Sequence, residues 1–285
     1  MEDKKQEVST AAQETKQEQQ PSRPSTESAS SKSADTSKST FAAPTAMPVF
    51  TAIPGVYYDF NYGTRVAVAQ DAPKDYRVVI MDVDTEAILY NNIVKRGSSI
   101  HTNKTYYVPT RILIYDPDDQ ARQSMPVFDH TMSISGLPVL VQFAGTAIGD
   151  NIGWFSYIER FQQKYGPKLT VSMSPVIADL VRDQYPDITI ITPEQAKQAI
   201  AGMYATYRIG LFFGGNTNAQ PFDFRYVGLH KTAGYILGLT TPEELADCPP
   251  RIDLSAPRPI KDKYVVIAVQ ASSKAKLWNN PSGWR

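Results

Sequence analysis

The residues best suited to chemistry fall in three short polar turns. The first is Gly145-Thr146-Ala147-Ile148-Gly149-Asp150, which follows the apolar run LPVLVQFA directly. Asp150 opens the next segment. A carboxylate there either accepts backbone N–H bonds as a helix cap or takes a proton from a bound hydroxyl. Gly145 and Gly149 allow positive φ and close backbone approach to a ligand. The turn lacks the spacing of a GxGxxG dinucleotide fingerprint and the lysine of a P-loop. The second stretch, Ala271 to Trp278, carries Ser272, Ser273, Lys274 and Lys276. Hydroxyls and an ammonium group after a strand suit the oxygens of a diphosphate, although lysines near a chain end are commonly only solvated. The third is Gly214-Gly215-Asn216-Thr217-Asn218, which either lines a cleft or simply turns the chain. Trp154, Phe155, Tyr157, Tyr204 and Tyr207 read as packing; His230 with Lys231 either faces the cleft or, as is commoner for such a histidine, sits satisfied at the surface or a helix end. One cysteine, Cys248, and three histidines, His101, His130 and His230, exclude a thiolate-rich or histidine-rich metal centre and a disulfide framework.

These turns need elements to hold them. LPVLVQFAG has the continuous apolar character of a strand buried on both faces, and NIGWFSYIERFQQKYG repeats Ile152, Phe155, Ile158 and Phe161 at helical spacing before Gly166-Pro167 ends it. KLTVSMS, PVIADLVRDQYP, DITIIT and PEQAKQAIAG continue as strand, helix, strand and helix, the last with Thr192 as its cap and Pro193 in its first turn. YATYRIGLFF supplies a fourth strand. The β-α alternation predicts a parallel sheet flanked by helices, with the polar turns at its carboxyl edge. FRYVGLHKTAGYILGL reads as helical, DCPPRIDLSAPRPIKD as a linker, and YVVIAVQ as a fresh strand.

The remaining chain divides by composition. Residues 1–48 are Lys, Gln, Glu, Ser, Thr and Ala with almost no large apolar side chain, the signature of a disordered tail. Residues 49–136 alternate short β-branched and aromatic runs with turn residues, which predicts a small β-barrel or sandwich. Residues 137–246 then form the α/β lobe, and 247–285 a linker with the first strand of a further lobe that is only begun. The 285 residues carry 29 basic and 29 acidic side chains, a net charge of zero, which gives no support to nucleic-acid binding. No run reaches the roughly 18 apolar residues of a membrane span, and MEDKKQEVST has no apolar signal core, so a cytoplasmic address is expected.

The runs GTAIGDNIGWFSYIERFQ, YATYRIGLFFGGNTNAQPFDFRYVGLHKTAGYILGL, RIDLSAPRPI and QASSKAKLWNNPSGW resemble the bacterial autotransporter O-heptosyltransferase family, from about Gly55 to the last residue. The resemblance implies an α+β fold: a small N-terminal β-barrel and a Rossmann-like half of a GT-B glycosyltransferase, the second lobe truncated. It implies transfer of heptose from ADP-heptose to serine hydroxyls of autotransporter adhesins, and assembly into homo-oligomeric rings. By position, Asp150 matches the catalytic aspartate and Lys276 the lysine that contacts the donor diphosphate. Thr146, Gly149 and Ser272 are expected beside the substrate, with Lys274 a rival for the phosphate. The family's four-cysteine iron-binding finger is absent from this sequence, so no cofactor is expected in this chain. The alternative is a catalytically inactive fragment that serves as a binding or assembly module.

Overall fold

A computed structural model describes residues 41–43, 49–118 and 125–267. Of the segment expected to be a tail, only Phe41 to Ala43 fall within it, and Ala42 there is buried. The described residues lie within a unit running from Ser39 to Arg285. The first strands are β1 (Val49–Phe50), β2 (Val56–Asn61), β3 (Arg65–Val68), β4 (Tyr76–Asp82), β5 (Ile88–Val94), β6 (Ser98–His101), β7 (Thr110–Tyr115) and β8 (Phe128–Thr131). The α/β segment then follows the order read from the sequence. Its elements are β9 (Pro138–Phe143), α1 (Ile148–Tyr165), β10 (Lys168–Ser172), α2 (Pro175–Val181), β11 (Thr189–Ile191), α3 (Pro193–Ala199) and β12 (Ala205–Ile209).

Local chemistry fixes the helix boundaries. α1 buries Trp154, Phe155, Tyr157, Ile158 and Phe161 along one face and stops at Gly166, whose φ of 65° suits glycine. α3 starts on a capping box: Gln195 N–H donates to Thr192 Oγ1 (3.3 Å) and Thr192 N–H donates to Gln195 Oε1 (2.8 Å). The long helix expected over 224–239 is broken into α4 (Phe224–Val227) and α5 (Lys231–Ile236). Gly228 between them takes φ 93°, which no helix tolerates. The strand expected from Tyr264 does not form over Tyr264–Ile267, where Val265, Val266 and Ile267 are exposed; no described strand lies alongside to complete a ladder.

Strands β9 to β12 are parallel and ordered β11-β10-β9-β12. The sheet does not end there. β2 pairs in parallel with β12 (Ala205 opposite Phe60, Thr206 opposite Asn61), and β3 and β6 add antiparallel strands beyond it. The remaining β5-β4-β7-β8 form a separate antiparallel sheet. The expected small β-barrel is therefore corrected: among the described residues the strands of 49–136 lie in two open sheets. The reason is that β2 spends its second edge on β12, covering what would be an exposed edge of the parallel sheet, rather than closing on its own hairpins.

Val78, Ile80, Ile112 and Ile114 of the smaller sheet are wholly buried with Tyr58, Phe60, Val66 and Val68 of the larger one, in one core continuous with that under α1. At this junction His130 stacks near Tyr58 (centroids 4.7 Å apart), and its Nε2 lies 3.0 Å from Tyr204 Oη. Asp59, almost fully buried at the start of the β2–β3 turn, holds Arg65 (Nε to Oδ2 2.9 Å) and also accepts Asn61 N–H. The helical layer is tied by Gly238, whose carbonyl accepts Tyr165 Oη–H (2.8 Å) and Lys164 Nζ–H (3.1 Å).

Two predictions follow from this packing. Gly238 has φ 73°, and a Cβ on it would stand 2.4 Å from Tyr107 Cδ1. Gly238→Ala is expected to lower stability by about 2–4 kcal/mol through left-handed strain and overpacking, measured as a reduced urea midpoint. His130 is held below its ordinary pKa, chiefly by burial, with the Asp129 carboxylate pulling weakly upward. The unfolded chain therefore binds this proton first, so the stabilisation is present above about pH 6.5 and is lost as pH falls below it. Denaturation midpoints at about pH 7.5 and 5.5 should differ more for the wild type than for His130→Gln.

Candidate active site

The strand order reverses between β9 and β12, the place where open α/β sheets bind ligands beyond the carboxyl ends of their strands. β9 and β12 run in register to Phe143 opposite Ile209, and Ala144 N–H donates to the Ile209 carbonyl (2.8 Å), so both outgoing loops leave one edge. The helices divide between the two faces. Phe143 packs on Trp154 and Phe155 of α1, whereas Leu140, whose side chain points to the opposite face, is buried with Ala196 of α3. At this reversal the sheet thus carries one helix layer on each face.

Asp150 stands in the first turn of α1, three residues after its N-cap, Ala147. A carboxylate at that position often reaches back to the cap's N–H. Here there is no side-chain cap bond, and among the described residues Asp150 has neither a hydrogen bond nor an ion pair. It is half-buried. Thr146 and Gly149 are exposed in the same turn, and a Cβ at Gly149 would meet nothing within 4 Å. Gly145 takes φ 70° and turns the chain from β9 into the helix. The structure thus brings Thr146, Gly149 and Asp150 together at the sheet edge. Ser272 and Lys276, with Lys274, lie outside the described residues.

The loop after β12 leaves the same edge. Gly214 and Gly215 adopt φ 75° and 68°, and Asn216 Oδ1 accepts the N–H groups of Asn218 and Ala219 (both 3.2 Å). The Asn218 carbonyl accepts Thr105 N–H (2.7 Å), which moors the far side of the turn. Beyond it, Asp223 caps α4 and is held down to about pH 2 by the Arg225 guanidinium. His230 and Lys231, at the start of α5, both lean on Asp247 (2.8 and 3.4 Å). They are spoken for, in keeping with a helix-end pair.

Three residues at this edge escaped the sequence reading. Asn151 is fully buried behind Asp150; its Nδ2 donates to the Ala147 carbonyl (2.9 Å), and its Oδ1 has no partner. Gln220, equally buried, donates from Nε2 to the Phe212 carbonyl (2.8 Å) and leaves Oε1 unpartnered. Arg208 is the penultimate residue of β12, and its buried Nε is likewise without a partner. A buried polar group without a partner costs on the order of 1–3 kcal/mol; the Tyr157 and Tyr207 hydroxyls in the core are in the same condition. Asn151 and Gln220 sit among polar turn residues where sequence offers no sign of burial. Arg208 was legible only as one polar residue inside an apolar strand, YATYRIGLFF.

Comparison with known proteins gives similarities over most of the chain. Residues 53–118 match the family model described as the N-terminal domain of glycosyltransferase TibC. The autotransporter heptosyltransferase TibC of enterotoxigenic Escherichia coli H10407 is 42% identical over 244 residues, which are 86% of this chain and 57% of that protein. A Burkholderia thailandensis relative described as the inactive autotransporter heptosyltransferase BimC is 38% identical over 247 residues, 86% of this chain and 55% of the relative. The crystal structure of dodecameric iron-containing TibC in complex with ADP-D-β-D-heptose superposes with a TM-score of 0.75 at 40% identity, covering 86% of this chain and 60% of that one. The chain therefore spans less than two thirds of the proteins it matches. That relative is described as iron-containing; among the described residues of this chain no three His, Cys, Asp or Glu side chains cluster to hold a metal, and Cys248 is exposed. In sequence over most of its own length, and in fold, the chain is similar to the autotransporter heptosyltransferases.

Proposed function

We propose that the chain serves the transfer of heptose from ADP-heptose to serine hydroxyls of an autotransporter adhesin, with Asp150 as the general base. The observation that carries this reading is a half-exposed carboxylate, without a partner among the described residues, at the reversal point of a parallel sheet. A serine hydroxyl is a weak nucleophile. As its Oγ bonds to the anomeric carbon, its proton passes to the Asp150 carboxylate, and the bond from that carbon to the β-phosphate oxygen breaks. ADP leaves with the electron pair. Thr146 and Gly149 flank the reacting groups, and Ser272 and Lys276 are assigned to the donor diphosphate, where an ammonium group would stabilise the departing charge.

Under this reading residues 137–246 are the Rossmann-like lobe of a GT-B glycosyltransferase, preceded by the β-rich segment 49–136 and followed by a linker and the start of a second lobe at 247–285. Assembly of several copies follows from the dodecameric relative. No described helix is long and apolar enough to cross a membrane, and the donor points to a cytoplasmic site of action. No step passes through iron.

A second reading is a non-catalytic binding or assembly module. It is favoured by the existence of a relative described as inactive at 38% identity. A heptosyl-transfer assay with ADP-heptose and an adhesin acceptor separates the two. Wild-type transfer that falls by about 10²–10⁴-fold in Asp150→Asn, with the fold intact by circular dichroism, supports the enzyme. No transfer by the wild-type chain, under conditions where E. coli TibC transfers, supports the module.

A further inference from the structure

Arg208 is the described arginine with neither a hydrogen bond nor an ion pair; each of the others has at least one. Its guanidinium is boxed instead by three aromatic rings, Phe41, Tyr62 and Phe212, at 5.7, 5.3 and 5.6 Å from their centroids. Ring faces satisfy the cation electrostatically but accept none of its N–H groups along their preferred directions. The neighbouring acceptors are already engaged. Tyr62 Oη accepts from Gln142 Nε2 and donates to the Ala42 carbonyl (2.8 Å), and Gln142 Oε1 accepts Ala42 N–H (2.8 Å). That network pins two walls of the box: the Tyr62 ring directly, and Phe41 through the next residue, Ala42. The side chain is thus held in place with its donors uncommitted.

Its position gives those donors a use. Arg208 pairs across the sheet with Gln142, one residue before the strands end at the reversal point. Tyr207 packs on Phe161 of α1, so Arg208 projects to the sheet face opposite α1, whose first turn carries Asp150. Nearest in the chain after β12, Arg225 is paired with Asp223, and Lys231 and the His230 ring both lean on Asp247. Arg208 is a planar fork shaped for phosphate oxygens, with no side-chain hydrogen bond or ion pair among the described residues.

We infer that Arg208, preset by its aromatic box, binds the diphosphate of the nucleotide-sugar donor. This rests on the transfer reading above and adds to it a phosphate ligand from the β12 side. The test is titration of the 285-residue chain with ADP and with adenosine, by calorimetry or fluorescence competition. Wild type should prefer ADP, and Arg208→Met, which still fills the box, should lose about tenfold or more of ADP affinity while adenosine binding is unchanged. Arg208→Lys keeps the charge without the fork and should fall between them; it decides the matter if Arg208→Met does not fold. A folded variant that keeps the wild-type ADP-to-adenosine ratio, or a wild type that shows no preference for ADP, overturns the assignment. Transfer assays run in parallel keep the two ideas apart. Sugar transfer that is indifferent to Arg208 leaves the proposed function standing without this residue. Arg208-dependent ADP binding without transfer does the reverse.

Discussion

Everything at the candidate site depends on β12 being gripped along both edges. On one side it runs parallel to β9 and fixes where two loops emerge; on the other it runs parallel to β2. The second pairing is short, but it is reinforced by Thr206 Oγ1–H donating to Asn61 Oδ1 (2.7 Å) and by Tyr62 N–H donating to the Thr206 carbonyl (3.0 Å). A strand with ladders on both sides cannot slip by one residue without turning Tyr207 out of the core and Arg208 into it. Register is therefore the constraint from which the positions of Arg208, Gly210 and the glycine-rich turn follow. Gly210 shows the tightness: a Cβ on it would lie 2.9 Å from that of Ala144 in the facing loop.

The electrostatics of the edge follow from the same arrangement. Carboxylates and cations in the loops after β12 are matched locally, Asp223 with Arg225 and Asp247 with His230 and Lys231. Asp150 and Arg208, by contrast, have no side-chain hydrogen bond or ion pair among the described residues. Surface pairs of the matched kind contribute little to stability, generally below about 1 kcal/mol.

The α/β half was readable because its signals are strong and local. Leu137 to Phe143 is apolar without interruption, α1 has a full stripe of large side chains ending at Gly166, and Thr192-Pro193 announces α3. The break at Gly228 was a weaker signal, hidden inside a helical pattern that continues on both sides. That the strands of 49–136 lie in two open sheets rather than a barrel was not readable, because alternation within a strand says which residues face inward but not which strand lies beside it. β2 chose a partner about 145 residues away, as Thr206 opposite Asn61 shows. At the site, Asp150 was legible from its place after a buried strand. Asn151, Gln220 and Arg208 were not, since burial without a hydrogen-bond partner is a property of three-dimensional packing alone.

The pairing of β2 with β12 also bears on how the molecule can be divided. The compositional seam near residue 136 invites a cut there, yet a piece beginning at Leu137 would carry β12 with one flank bare, a row of free amides and carbonyls open to any passing strand. Such a piece would tend to self-associate rather than stay a tidy nucleotide lobe. The natural unit of handling, recombination or inheritance is consequently the two segments together, with the seam in composition lying inside a single sheet.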